Sequence, residues 1–242
     1  EGMAGSDTIT GYIDRVLEAE DLAAMVLRVN SPGGSVFASD LIRRKLAEVR
    51  AAEIPVVVSM GSVAASGGYW IASEADEIWA LPTTITGSIG AFSAFPTIEG
   101  VIDYIGVKVD GLGTTPLAGA ASLNRGLSPE MSKIVQALSY RAYEDFIELV
   151  ATGRNISDAD VREIAEGIVW IGADAAEIGL VDQLGGLQEA VESAAALAGV
   201  DQWRTGRTQV PPSFESILLE ELSRSFSASV LPKGGWFESL VE

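Results

Sequence analysis

Residues 23 to 30 read AAMVLRVN and residues 55 to 61 read PVVVSMG, both short and almost continuously apolar. Runs of that length, bounded by turn residues, predict strands covered on both faces, as in a parallel sheet. Between them the period changes. From about Ala38 to Ala51 apolar residues return every three or four positions, which predicts an amphipathic helix. An earlier helix is predicted from a cap at Ser6 or Asp7 to about Ala19, with Ile9, Ile13, Val16 and Leu17 on one face. A short helix opening at Ser66 and a third strand over EIWALP (77–82) complete the order strand, helix, strand, helix, strand. That alternation predicts an α/β fold with parallel pairing.

Further along, a short helix is predicted around Thr97 to Ile105, then a strand-like VKVDGLG (107–113) and a loop from Thr114 to Asn124. Ser128 and Pro129 open a long helix, a capping hydroxyl followed by a proline in the first turn. Met131, Val135, Leu138, Ala142, Phe146 and Leu149 mark one face down to an expected stop at Gly153. Ser157 caps a helix through about Glu166, residues 172–179 hold a shorter one, and residues 182–200 end in an alanine-rich helix. From Asp201 the texture changes. Pro211-Pro212, a helical pattern from Phe214 to Phe226 and a terminal GGWFESLVE are too aromatic for a plain linker. The expected organisation is a domain over residues 1–200, its first strand missing upstream, and a C-terminal arm over 201–242 that packs on the body or on a neighbouring subunit.

With 48% hydrophobic and 21% charged residues, the 242-residue chain falls in the ordinary globular range. Its 34 acidic residues against 16 basic ones create a negative field that repels phosphate, so nucleic acid is not an expected partner. There is no cysteine and no histidine, which removes disulfides, thiolate metal sites and the commonest general base. No carboxylate group has metal-ligand spacing, and neither a metal nor a cofactor is expected. No run of about 18 apolar residues is present, and the opening EGMAGSDTIT lacks the regions of a signal peptide. The abrupt start suggests a piece of something longer.

Two glycine-bearing turns, SPGGS (31–35) and ASGG (65–68), each follow a predicted strand and precede a helix. In open α/β sheets ligands bind at that end of the strands. Amides at helix starts point free N–H groups outward, and glycine lets an oxygen approach them closely. A serine among such donors, Ser66, has the makings of acyl transfer: its Oγ attacks a carbonyl and the amides hold the oxyanion. Spacing alone favours a purely structural role for both turns, because Gly-Gly after a strand is common.

The segments RVNSPGGSV (28–36), SMGSVAASGGYWIA (59–72), TGSIGAF (86–92), GRNIS (153–157) and ADAAEIGLVDQLGG (173–186), in this order, resemble the signal peptide peptidase A family of serine proteases. The resemblance covers about residues 5–199. TTPLAG (114–119) and VWIGADAAEIGLVD (169–182) are similar to the C-terminal half of the long, two-repeat form of Gram-negative bacteria. The resemblance implies the ClpP/crotonase-like superfold, a spiral of ββα units. It implies Ser66 as nucleophile, the amides of Gly34 and Gly67 as oxyanion donors, and Ser88 as a serine that helps orient a lysine base. A lysine in apolar surroundings loses its charge near neutral pH and can take the Oγ proton. Val36, Phe37, Phe92 and Phe95, with Tyr69, are candidates for apolar substrate pockets. The family works on hydrophobic peptides, the remnants of signal peptides, at the periplasmic face of the inner membrane, and assembles as a tetramer.

The lysine does not fall where short members of the family place it, because PLAGAAS (116–122) contains none. Lys45 and Lys133 fall in exposed-looking helical patterns, Lys108 comes about ten residues early, and Lys233 lies in the tail. In the long form the lysine belongs to the N-terminal half. The chain is therefore expected to hold the nucleophile and oxyanion hole, to take its base from that half, and to be nearly inactive alone. Two other readings remain: a non-catalytic assembly half, which fits the missing lysine, and a crotonase-like acyl-CoA enzyme, which the acidic balance disfavours.

Overall fold

The computed structural model describes residues 5–115 and 117–208. The chain divides into one unit over Glu1–Arg204 and a second over Thr205–Glu242. The predicted helix at Phe214–Phe226, the aromatic tail and Lys233 lie outside the described residues.

The first unit is an α/β structure built around a ten-residue strand. That strand, β2 (Val56–Ala65), pairs in parallel with β1 (Met25–Ser31), from Met25 opposite Val56 to Val29 opposite Met60. The register then shifts, so that Ser31 lies opposite Ala64. Along its other edge β2 meets two short strands in succession, β3 (Glu77–Ala80) beside Val57–Ser59 and β4 (Ile85–Gly87) beside Val63–Ala65, both parallel. β5 (Val169–Ile171) adds antiparallel to β4, and β6 (Gln183–Leu184) adds parallel to β3.

Because side chains alternate along a strand, β2 feeds two cores. Val56, Val58 and Met60 belong to the main cluster, with residues of the helices α1 (Ser6–Leu17), α2 (Val36–Ala51), α3 (Gly67–Ala72) and α5 (Pro129–Arg154). Val57 points the other way, onto Ala190 and Ala194 of α8 (Leu187–Leu197). Two-sided burial explains why the strand reads as a continuous apolar run. The remaining helices are α4 (Glu99–Tyr104), α6 (Asp158–Ile164) and α7 (Gly172–Glu177).

Capping chemistry sets several boundaries. The Ser35 hydroxyl accepts from the Ala38 amide at 3.3 Å, so α2 begins two residues before its apolar period does. Ser128 caps α5 in the same way, accepting from Met131 at 3.2 Å. α5 runs through the expected stop at Gly153 and ends at Asn155, which adopts the left-handed conformation at φ 53°. Gly153 is needed for packing instead: a Cβ there would lie 2.2 Å from the Ser73 carbonyl oxygen.

Two other expectations are corrected. VKVDGLG forms no strand; Val107 and Val109 are exposed and no neighbouring strand offers the partner a ladder requires. β4 and β5, three residues each, were not foreseen, since stretches so short carry no readable period.

Candidate active site

The site forms where β2 ends. Ser66 is the residue between β2 and α3, at φ 50° and ψ −120°, a region that costs a non-glycine residue about 1 to 3 kcal/mol. Contacts on both sides hold it there. Its N–H donates to the Gly87 carbonyl at 2.9 Å, and its carbonyl accepts from the Trp70 amide at 2.9 Å. The side chain is half-buried.

The SPGGS turn is pressed against this junction. Gly33 adopts φ 107°, and a Cβ on it would lie 2.7 Å from the Gly67 nitrogen and 2.8 Å from the Ser66 Cβ. A Cβ on Gly67 would lie 2.5 Å from the Ser39 Oγ and 3.1 Å from the Gly34 nitrogen. Both positions therefore require glycine for closeness, and the same closeness brings the Gly34 and Gly67 amides together beside Ser66. Neither amide donates to a backbone carbonyl among the described residues. Gly34 is exposed, which leaves its N–H open to a ligand. A carbonyl oxygen seated between two such donors would gain stabilisation as it becomes an oxyanion.

Ser88 enters from the adjacent strand. The last pair between β2 and β4 is Ala65 with Gly87, so Ser66 and Ser88 stand next to each other, one residue beyond the paired ends. Ser88 is also left-handed, at φ 51°, and its amide donates to the Ile168 carbonyl at 2.8 Å.

No lysine among the described residues hydrogen-bonds to either serine. The Lys45 amine is held by Asp14 at 2.7 Å and Glu48 at 2.6 Å, and these hydrogen bonds raise its pKa, opposite to what a neutral base requires. Lys108 is exposed and paired to Asp103 at 2.7 Å, and Lys133 is exposed on α5.

The apolar candidates divide. Val36, Phe37, Phe92 and Phe95 are all exposed, Phe92 nearly completely at 89%. Tyr69 is a correction: it has no exposed surface, and its hydroxyl donates to the Leu180 carbonyl at 2.8 Å. It is a core residue, since the first turn of α3 points it inward while Ser66 faces out.

Two features had no signal in the sequence. Asp40 on α2 accepts from Arg43, from Arg44 and, at 3.4 Å, from the Trp70 indole, while Arg43 also pairs with Glu74. This cluster ties the helix after the SPGGS turn to the helix after Ser66. Burial opposes ionisation of Asp40, but the Arg43 and Arg44 hydrogen bonds outweigh it and hold the carboxyl below its ordinary range. The second is Trp170 on β5, whose ring lies against Gly87.

The sheet and its flanking helices form a ClpP-like fold. Among solved structures, a ClpP1 mutant from Listeria monocytogenes superimposes with a TM-score of 0.51, covering 77% of this chain and 88% of that one at 16% identity, which shows the fold. Residues 48–201 match Peptidase family S49, and the chain belongs to that family. It is 45% identical to Protease 4 of Salmonella typhi over 232 residues, which covers 96% of this chain and 37% of that protein. It is also 45% identical to Protease 4 of Haemophilus influenzae over 202 residues, covering 84% of this chain and 33% of that protein. With the chloroplastic serine protease SPPA of Arabidopsis thaliana it shares 35% identity over 215 residues, 88% of this chain and 30% of that protein. The chain thus spans about a third of the length of these relatives.

Proposed function

We propose that this chain carries the serine half of the active site of a signal peptide peptidase. In the reaction, Ser66 Oγ attacks the scissile carbonyl of a hydrophobic peptide and its proton passes to a lysine amine. The Gly34 and Gly67 amides hold the oxyanion, the lysine ammonium returns the proton to the departing peptide amine as the C–N bond breaks, and water, deprotonated by the same lysine, then hydrolyses the acyl-enzyme. Ser88 orients the lysine. That lysine belongs to a segment corresponding to the N-terminal half of the long, two-repeat form. The assembly is a homotetramer at the periplasmic face of the inner membrane. Among the described residues no helix is long and apolar enough to cross a membrane.

One observation carries the reading: two unengaged amides stand beside a half-buried serine held in a strained turn. A turn serving only the fold would relax with glycine at position 66. The test is labelling by a fluorophosphonate in a protein that contains both halves, with the Ser66→Ala variant as control. Adduct at Ser66, absent in the variant, supports the reading; no adduct in the presence of a lysine-bearing half sinks it. A scaffold role is favoured by the commitment of Lys45 and Lys108 to carboxylates. The same experiment decides between them, because a scaffold leaves Ser66 unlabelled.

A further inference from the structure

Ser66 and Ser88 do not hold themselves in place. Gly87 and Ser88 are consecutive left-handed residues, at φ 72° and 51°, and a turn of that kind needs outside support. The support comes from β5 and the residues before it. Ser88 donates to the Ile168 carbonyl at 2.8 Å, and Gly167 donates to the Ile89 carbonyl at 3.0 Å. Between these clasps the Trp170 ring lies against Gly87: a Cβ on Gly87 would meet its Cδ1 at 2.7 Å. The indole is fixed in turn, because its Nε1 donates to the Ile164 carbonyl at the end of α6 at 3.1 Å and it packs on the main core. The carbonyl of Gly87 is the acceptor for the Ser66 amide.

We propose that Trp170 is a positioning residue of the site, fixing through Gly87 both the Ser66 amide and the Ser88 turn. The indole fills the space beside Gly87 into which a side chain would project, so it packs directly on this residue. With Gly87 held, its carbonyl stays aimed at Ser66, and Ser88 stays folded back beside it. The proposal gives Gly87 a reason to be glycine other than its φ, since any side chain would displace the ring. As a statement about catalysis it rests on the reading of Ser66 as nucleophile; as a statement about geometry it does not.

Amide hydrogen exchange of Ser66 and Ser88 in the 242-residue chain tests it, with Val57 and Val58 in the middle of the sheet as internal controls. The variants are Trp170→Leu, which keeps apolar volume but loses the flat face, and Trp170→Phe, which restores a ring. In Trp170→Leu, protection at Ser66 and Ser88 should fall about tenfold or more while the controls hold, since exchange reports local opening separately from global unfolding. Trp170→Phe should recover most of the loss. Unchanged protection at the two serines overturns the proposal. A loss shared equally by the controls overturns it as well, because Trp170 then supports only the fold. The measurement is independent of whether Ser66 reacts, which the Ser66→Ala labelling control decides separately.

Discussion

Ser66 keeps a backbone conformation that glycine would adopt with less strain. Replacing it with glycine should therefore stabilise the fold by about 1 kcal/mol, read as a higher Tm, while removing any activity that depends on its hydroxyl. Equal or lower Tm would mean that the strain is not there. Gly67 gives the complementary expectation. A Cβ at that position meets Ser39 Oγ at 2.5 Å and crowds the Gly34 nitrogen at 3.1 Å, so Gly67→Ala pushes apart the two amides proposed as oxyanion donors. On that proposal, in a protein containing both halves, loss of one such donor should cost about 10²- to 10³-fold in kcat with little change in KM. At this scale the sequence was legible as a family, because SPGGS, ASGG and TGSIG occur in an order that carries a resemblance. Tyr69 was the exception, since an aromatic beside a nucleophile reads the same whether it lines a cleft or a core. Its complete burial and its hydrogen bond to Leu180, 111 residues away, separate the two.

At the scale of elements, the relation of α2 to α3 sets the distance between the two turns, and Asp40 is the residue they share. Asp40→Asn should lower stability by about 1.5 to 3 kcal/mol near neutral pH, the range for hydrogen bonds to charged groups. The pH dependence follows from the direction of the shift. The folded carboxyl titrates below the ordinary value of 3.8, so its contribution is complete above that value and is lost as pH falls through the folded one. Thermal unfolding of both proteins between pH 7 and pH 2.5 should show two Tm curves that converge below about pH 4. Curves that stay parallel would exclude Asp40 as the titrating group. Phe146 anchors the next layer, its ring 4.7 Å from that of Trp70. The period of α5 announced Phe146 as an inner residue, whereas the Asp40 cluster had no such announcement: polar residues on an amphipathic helix look solvated until a second helix covers them. β4 and β5 were invisible for a related reason, since strands of three residues are defined by their partners and not by their own pattern.

For the whole molecule, the decisive fact is a juxtaposition. The nucleophile candidate, the two candidate oxyanion amides and Ser88 converge within one unit, but the lysines of that unit either pair with carboxylates or lie exposed on a helix. The chain also spans only about a third of its Protease 4 relatives. Together these motivate the proposal that the base comes from outside this unit. The most direct measurement is turnover of a hydrophobic peptide ester by the 242-residue chain alone and after mixing with a lysine-bearing segment matching the rest of a Protease 4 relative. The chain alone should be nearly silent, and the mixture should turn over at a rate that Ser66→Ala abolishes. Rapid turnover by the chain alone, lost on Lys108→Ala, would contradict the account.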